Sequence, residues 1–345
     1  MTKQQAAPPE RQQWKGASLA ARIKVVNDIF IQHRAVSDLF RYIERQLLIN
    51  SAQGSADGVL VIAAPGSGKT HTIKQLELMY PSVVTPTLTT KPVVILNIPS
   101  RPNSNSMGEA MLKAIGDPLP GAGTSQAKLE RIEMFLGELE TKVVAIDNFQ
   151  DIPARRQIRG IEELGDWVRN LCSMNFPGVV LAFGTEEAAV VRDSNSQLRR
   201  RMQARFELPI FSAAGKDALA RWIFILTEID KYFPLAQESG FGAGQFAGRL
   251  LVATGGNFDY LIKLLVQALT ESRIADRERI EMEDLRTGFA MKHGVAAEGG
   301  NPFDLDFTST VLDGPGQIFD FKSAVDKAEQ KNGGGASKPR KASGT

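Results

Sequence analysis

The sequence predicts an α/β protein with a five-stranded parallel sheet flanked by helices, followed by an all-helical lid. Five short apolar runs, rich in β-branched residues and bounded by turn residues, predict the strands at 59–64, 93–98, 143–146, 179–183 and 206–210. Segments with helical apolar spacing lie between the first four runs, at about 70–79, 107–115, 128–140 and 161–174. This alternation is typical of β-α-β winding.

Helical spacing also occurs on both sides of the sheet. Two amphipathic helices are predicted before it, at 22–28 and 35–49, and four after it, at about 216–230, 243–253, 258–272 and 282–292. The expected domains are a flexible N-terminal arm at 1–20, an α/β domain with its N-terminal helices at 21–211 and a helical lid at 212–295. A segment at 296–322 either docks on a partner or packs on the protein itself, and composition predicts disorder at 323–345.

Composition limits the possible functions. With 41 Lys and Arg against 39 Asp and Glu the net charge is only +2, so binding to nucleic acid requires a local basic patch. The single cysteine, Cys172, excludes a disulfide framework and a cysteine-based zinc site, and predicts a buried apolar side chain. No apolar run is long enough to span a membrane, and the N-terminal residues lack the apolar core of a secretion signal. We therefore expect a cytoplasmic protein.

A phosphate-binding loop is the most specific motif. Residues 63–70, AAPGSGKT, follow the strongest predicted strand and open a helix, as a Walker A loop does. Backbone N–H groups of such a loop hold phosphate oxygens, while Lys69 would neutralise the β- and γ-phosphates and the Thr70 hydroxyl would bind Mg²⁺. The predicted nucleotide-binding residues are Ala63, Ala64, Pro65, Gly66, Ser67, Gly68, Lys69, Thr70 and His71.

The second half of this site is predicted at the end of the third apolar run. Asp147 supplies a carboxylate for Mg²⁺ there, which is the Walker B role. The next residue is Asn148, whose amide can orient water but cannot accept its proton. Hydrolysis is therefore expected to be slow, or to depend on a carboxylate such as Asp151.

Two further roles follow from the order of the strands. The fourth strand is expected to end at Gly184–Thr185, where a polar side chain would reach the γ-phosphate or the attacking water. Thr185 is therefore assigned as the sensor residue, which responds to that phosphate. A basic cluster at 197–206 comes immediately before the fifth strand, and in a ring or filament Arg201 or Arg205 would stabilise phosphate charge on a neighbouring subunit. The alternative for this cluster is a solvated basic face.

Together these motifs resemble the AAA+ ATPases and, more narrowly, the TniB/TnsC transposition regulators. The narrower marks, between about Arg22 and Phe303, are FIQHR at 30–34, NIPSRP at 97–102, AMLKAIG at 110–116, LAFGT at 181–185, QL at 197–198, RFELP at 205–209 and NPF at 301–303. The resemblance implies a P-loop AAA+ fold with ATP and Mg²⁺ as cofactors. It also implies ATP-dependent assembly, as a ring or helical filament, on double-stranded DNA. The partners it implies are a DDE transposase of the TniA/TnsB type and a TniQ-like target-selection adaptor.

Two positions depart from the family pattern. Asn148 stands where the family usually has Glu, and Asp259 stands where many AAA+ proteins have a sensor arginine. We therefore expect nucleotide to act chiefly as an assembly switch, because a switch needs only different affinities of ATP and ADP for the assembled and free states.

Sequence-tolerant DNA binding requires cationic contacts to phosphate. The expected contacts lie on segments that line the inner face of AAA+ assemblies and are Arg101, Arg155, Arg156 and Arg159. Ordinary solvated charge is the alternative for each of them.

The late segment carries spaced apolar residues that suit a peptide docking onto a transposase or an adaptor. They are Phe303, Leu305, Phe307, Ile318, Phe319 and Phe321. Packing on the protein's own core is the alternative. Two other functions stay open: an AAA+ motor or loader in secretion or DNA replication, which Asn148 disfavours, and a metabolic P-loop kinase, which the helical lid and the arginine cluster disfavour.

Overall fold

The structure, a computed structural model, describes residues 10–155, 158–211, 216–293 and 300–307. Its strands are β1 (Asp57–Ala63), β2 (Val83–Val84), β3 (Thr89–Thr90), β4 (Val93–Asn97), β5 (Val143–Asp147), β6 (Val179–Gly184) and β7 (Ala204–Leu208). Its α-helices are α1 (Leu19–Asp28), α2 (Arg34–Gln53), α3 (Lys69–Met79), α4 (Ser104–Ile115), α5 (Ser125–Glu138), α6 (Asp151–Arg155), α7 (Ile158–Leu171), α8 (Ala188–Ser194), α9 (Ser196–Arg201), α10 (Lys216–Tyr232), α11 (Gly244–Thr254), α12 (Phe258–Ile274) and α13 (Met282–His293). The chain divides into two compact units, one formed by Phe30–Ile210 and the other by residues 10–29 with the described residues from Phe211 onwards.

The first unit contains the predicted five-stranded parallel sheet. Its strands lie in the order β4-β5-β6-β1-β7, and every neighbouring pair is parallel. The short strands β2 and β3 form a separate antiparallel hairpin that the sequence did not predict. Because β6 lies between β1 and β5, the carboxyl ends of these three strands meet at one edge of the sheet.

Both faces of this sheet are covered, which explains the nearly continuous apolar runs. Along β1, Leu60 belongs to one core cluster, whereas Val59 and Val61 belong to the other. The first cluster also contains apolar residues of α4, α5 and α7, and the second contains apolar residues of α2 and α3. Alternate side chains of a strand point to opposite faces, so a sheet buried on both faces has apolar residues at every position.

The second unit is helical and is held together partly by a buried ion pair. Arg22 of α1 is fully buried, and its guanidinium donates to both carboxylate oxygens of Glu278, at 2.9 and 3.0 Å. The same guanidinium donates to the carbonyl of Pro234 at 2.9 Å. A buried charge that is paired and fully hydrogen-bonded is tolerated, whereas removal of one partner is strongly destabilising.

The prediction of a flexible N-terminal arm is wrong for residues 10–20, which include the first residues of α1. Residues Arg11–Trp14 form a 3-10 helix, and the Arg11 side chain donates to the carbonyls of Asp230 and Gln237 at 2.8 and 3.0 Å. Residues 21–29, expected with the sheet, group with the helical unit instead, because α1 packs on α12 and carries Arg22. Residues 1–9 of the predicted arm lie outside the described residues.

Residues 300–307 pack on the helical unit. Phe303 is only 2% exposed and meets Phe289 edge-on, with ring centroids 6.1 Å apart. Of the two roles left open for Phe303, packing on the protein itself is the one observed, because its ring is buried against Phe289. Leu305 is 99% exposed, whereas Ile318, Phe319, Phe321 and the predicted disordered end at 323–345 lie outside the described residues.

Cys172 lies at the end of α7 against the first core cluster and is fully buried, as predicted. This burial raises the pKa of its thiol to about 12. No helix within the described ranges is both long and apolar enough to cross a membrane.

Candidate functional site

The glycine-rich loop between β1 and α3 has a backbone that glycine favours. Gly66 and Gly68 have φ values of 75° and 94°, in the left-handed region, and Gly68 caps the amino end of α3. The N–H and the hydroxyl of Ser67 both donate to the carbonyl of Ala64, at 3.1 and 2.8 Å. The loop thus turns sharply and brings its backbone to the amino end of a helix, where N–H groups attract anions.

Lys69 is the first residue of α3 and is half-buried beside this loop. Its Nζ donates to the carbonyl of Ala63 at 2.9 Å. Burial lowers the pKa of Lys69, and the nearby charge of Asp147 opposes that shift. Lys69 follows β1 and Asp147 ends β5 at the same edge of the sheet, although the two residues are 78 apart in sequence (147 − 69 = 78). Thr70 is exposed and His71 is half-buried, both in the first turn of α3.

Asp147 ends β5 at the same edge of the sheet. Its Oδ1 accepts from the N–H of Asn148 at 2.8 Å. Asn148 has a φ of 56°, a left-handed conformation that Asn tolerates better than most residues. Asn148 therefore suits the sharp turn that follows β5. This backbone conformation is a structural reason for an asparagine at position 148 that the sequence alone did not reveal. Asp151 lies one turn further on and donates its N–H to the carbonyl of Asn148 at 2.8 Å.

Thr185 follows β6, the strand between β1 and β5. Its hydroxyl donates to the carboxylate of Glu187, and this bond is the main reason why the pKa of Glu187 is lowered. The N–H of Thr185 donates to Oε1 of Gln150 at 3.3 Å. Gln150 also donates to Asn148, at 3.3 Å, and is a site residue that sequence reasoning missed. In the sequence, the one feature that could have indicated a role for Gln150 was its place on the loop that follows Asp147.

These residues fit a magnesium nucleotide. Positive-φ glycines, a helix terminus and a lysine lie at the loop, and a carboxylate and a threonine hydroxyl, the oxygen ligands that Mg²⁺ prefers, lie on Asp147 and Thr70. Over the part of the chain that the structure describes, no group of three or more His, Cys, Asp or Glu side chains could hold a metal by itself. An ion here would thus depend on phosphate and water oxygens as further ligands.

The two candidate arginine fingers lie in different places, and Arg201 is far from Lys69 of its own chain. Arg201 ends α9, is exposed, and lies near the amino end of β1, because a Cβ on Gly58 would be 3.3 Å from the Arg201 carbonyl. Gly58 and Ala63 are separated by about 16 Å of strand. Arg205, on β7, is held by the carboxylates of Glu186 and Glu207 at 2.7 and 2.9 Å.

The candidate DNA contacts are described in part. Arg101 is exposed on the loop between β4 and α4, and Arg159 is exposed in the first turn of α7. These two segments meet, because the N–H and hydroxyl of Ser104 both donate to Glu163 of α7, at 3.1 and 2.7 Å. The side chain of Arg155 and the whole of Arg156 lie outside the described residues.

Asp259 lies in the first turn of α12 in the helical unit. Its carboxylate accepts from Nζ of Lys263, one turn further along, at 2.6 Å. Asp259, the residue that stands where many AAA+ proteins have a sensor arginine, therefore forms an ion pair within its own helix.

The strand order, the loop between β1 and α3 and the helices that follow define a P-loop AAA+ domain with a helical lid. Residues 22–212 match the family described as Bacterial TniB protein. The chain belongs to the TniB family.

Solved structures with a similar fold include two from Aeropyrum pernix. The ORC2 protein in ADPNP-ADP complexes has a TM-score of 0.54 at 14% identity, covering 78% of this chain and 69% of that chain. The ORC1 protein in complex with DNA has a TM-score of 0.50 at 15% identity, covering 78% of this chain and 67% of that chain. At these identities the likeness shows the fold alone. No curated protein matches this chain.

Proposed function

We propose that this protein is an ATP-dependent, sequence-tolerant DNA-binding regulator of transposition, which oligomerises on target duplex and recruits a DDE transposase. The observation that carries the proposal is membership of the TniB family in a chain whose Lys69 and Asp147 lie at the same edge of the sheet. The remaining partners in this proposal are a TniA/TnsB-like transposase and a TniQ-like adaptor, acting on DNA in the bacterial cytoplasm.

The nucleotide-binding residues have separate tasks. The loop N–H groups of residues 63–71 hold phosphate oxygens, Lys69 exchanges its bond to Ala63 for the β- and γ-phosphates, and Thr70 and Asp147 hold Mg²⁺ directly or through water. Magnesium ATP, when bound, supplies a phosphoanhydride whose loss changes the charge at this edge. Thr185 lies at the end of the neighbouring strand, where it senses that change.

Turnover is slow in this proposal because no strong base follows Asp147. The Asn148 amide cannot accept a proton from water, and Asp151 is the nearest carboxylate along the loop. Arg201 or Arg205 completes the nucleotide site of a neighbouring subunit. Arg201 is too far from the glycine-rich loop of its own chain to act there. ATP and ADP therefore select between assembled and free states, and fast chemistry is not needed.

The DNA surface in this proposal is the edge that carries Arg101 and Arg159, together with Arg155 and Arg156. Arg101 and Arg159 are exposed, and the contact of Ser104 with Glu163 holds their two segments together. Guanidinium contacts to phosphate give affinity without sequence readout, as a protein that accepts many targets requires.

The test is an insertion reaction with the DDE transposase and a donor DNA, in the presence and absence of this protein and ATP. We expect target insertion to require both, and Lys69→Ala to abolish it. The matched control is Lys113→Ala, on the exposed side of α4. Insertion that is unaffected by this protein, together with sustained hydrolysis that is insensitive to DNA, would overturn the proposal in favour of an AAA+ motor or loader.

A further inference from the structure

The side chain of Gln150 joins the ends of two neighbouring strands. Its Nε2 donates to Oδ1 of Asn148, and its Oε1 accepts from the N–H of Thr185, both at 3.3 Å. Asn148 directly follows β5 and Thr185 directly follows β6. A carboxamide carries both a donor and an acceptor, and this bridge uses both.

The end of β6 is shaped to admit the bridge. Gly184 is buried, and a Cβ on it would lie 3.0 Å from Oε1 and 3.1 Å from the main-chain nitrogen of Gln150. The same Cβ would lie 2.5 Å from Cβ of Ala188, closer than real Cβ atoms approach. Glycine at 184 therefore lets the Gln150 side chain lie against the strand end.

The bridge also determines which way the Asn148 amide faces. Its Oδ1 is engaged by Gln150, and its backbone is fixed in a left-handed turn by the 2.8 Å bond from its N–H to Asp147. Since Oδ1 is the acceptor of a primary amide, the group that Asn148 presents in the remaining direction is the Nδ2 donor. Such a donor binds a phosphate oxygen or a lone pair of water, and it takes no proton.

We propose that Gln150 is a positioning residue that presents the Asn148 amide as a hydrogen-bond donor to the terminal phosphate, so that the pair distinguishes a nucleoside triphosphate from a diphosphate. This inference rests on the nucleotide site of the proposed function. Gln150 also contacts Thr185, the predicted sensor, because its Oε1 accepts from the Thr185 N–H. Gln150 and Asn148 thus occupy the place where a fast ATPase has its general base, and they bind the third phosphate instead of accepting a proton.

The decisive variant is Gln150→Glu, which is equal in size and keeps the acceptor for the Thr185 N–H. The carboxylate cannot donate to Oδ1, so Asn148 must turn its Nδ2 toward residue 150 and present Oδ1 to the site, where it repels a phosphate. The measurement is equilibrium titration of the full chain with a non-hydrolysable ATP analogue and with ADP. We expect affinity for the analogue to fall about tenfold and affinity for ADP to change less than about twofold.

Two comparisons separate positioning from general loss of structure. Asn148→Ala should also cause a selective loss, and Gln150→Glu combined with Asn148→Ala should cause no greater loss than either alone, because Gln150 acts through the Asn148 amide. The control for added charge is Gln245→Glu, at an exposed position of α11, which should leave both affinities unchanged.

Equal losses for the analogue and ADP, no loss for either, or additive losses in the combined variant would overturn the inference and leave the proposed function standing. Failure of the unsubstituted protein to bind either nucleotide would contradict the proposed function itself, and the inference with it. The two failures are therefore distinguishable in one set of titrations.

Discussion

The Nζ of Lys69 donates to the main-chain carbonyl of Ala63 at 2.9 Å, inside the glycine-rich loop that both residues delimit. The ammonium group is thus held at the mouth of the loop, where burial lowers its pKa and Asp147 opposes the shift. Phosphate oxygens satisfy the same donor more strongly than a neutral carbonyl does, because the bond is then charge-assisted.

Removal of this ammonium group should weaken nucleotide binding without unfolding the protein. We expect Lys69→Ala to weaken ATP binding at least about tenfold, because it removes charge-assisted bonds to phosphate. Titration with a fluorescent ATP analogue measures the effect, and Lys113→Ala should bind as the unsubstituted protein does. Equal affinity of the two variants would remove Lys69 from the site.

A glutamate at position 148 should accelerate hydrolysis. We expect Asn148→Glu to raise the ATPase rate constant about 100-fold, because a carboxylate can accept the proton of the attacking water. The same variant should be less stable by about 1 kcal/mol, since Glu tolerates the left-handed φ of 56° less well than Asn does. Asn148→Gly, which keeps the backbone conformation and removes the side chain, separates the two effects. A rate that stays low in Asn148→Glu would show that another group limits turnover.

The exposed side chains of Arg101 and Arg159 should contribute equally to the affinity for DNA of any sequence. We expect Arg101→Ala and Arg159→Ala each to weaken duplex binding and to reduce the slope of log affinity against log salt by about 1. Arg34→Ala is the control, at a side chain that is 91% exposed on α2. Unchanged affinity and slope would assign these arginines to ordinary solvated surface.

His33 should make stability depend on pH. Burial lowers the pKa of His33 from 6.5 to about 4, so its contribution to stability is fully present above pH 6.5 and is lost progressively as the pH falls from 6.5 to about 4. We expect a loss of about 2 kcal/mol from this group between pH 7.5 and pH 5. Urea unfolding of the unsubstituted protein and of His33→Gln measures it, and the variant should lack this part of the pH dependence. Parallel curves for the two proteins would contradict the assignment.

Phe303 and Leu305 form a matched pair of apolar residues two positions apart. Phe303→Ala should lower the free energy of unfolding by about 3 kcal/mol, because the ring is buried against Phe289. Leu305→Ala should change it by less than about 0.5 kcal/mol, because that side chain is 99% exposed. Thermal unfolding compares the variants. Equal stability of the two would show that the late segment is not anchored by Phe303.

Much of the fold was predictable because its signals are local. The β-branched runs predicted all five sheet strands, and the lid helices observed at Lys216–Tyr232 and Phe258–Ile274 begin where the periodicity placed them. The loop at 63–70 was equally visible, because a glycine-rich turn between strand and helix is contiguous in sequence. These features depend on residues close together in the chain.

The missing features depend on contacts between distant residues. Arg22 is a charged residue in a short amphipathic helix, and only the position of Glu278 shows that it is buried in the helical unit. Gln150 became a site residue because β6 lies beside β5, which brings Thr185 within hydrogen-bond distance. The left-handed φ of Asn148 likewise cannot be read from composition, and it supplies a backbone reason for a residue first interpreted through its chemistry.

The most direct test of the account is binding to a random-sequence DNA duplex with ATP, with ADP and without nucleotide, at two salt concentrations, with particle size followed by sedimentation. We expect large assemblies that form with ATP and not with ADP, and that weaken as salt rises. Protein that binds ATP yet does not bind DNA in any nucleotide state would contradict it, and would leave the AAA+ fold without the proposed role in transposition.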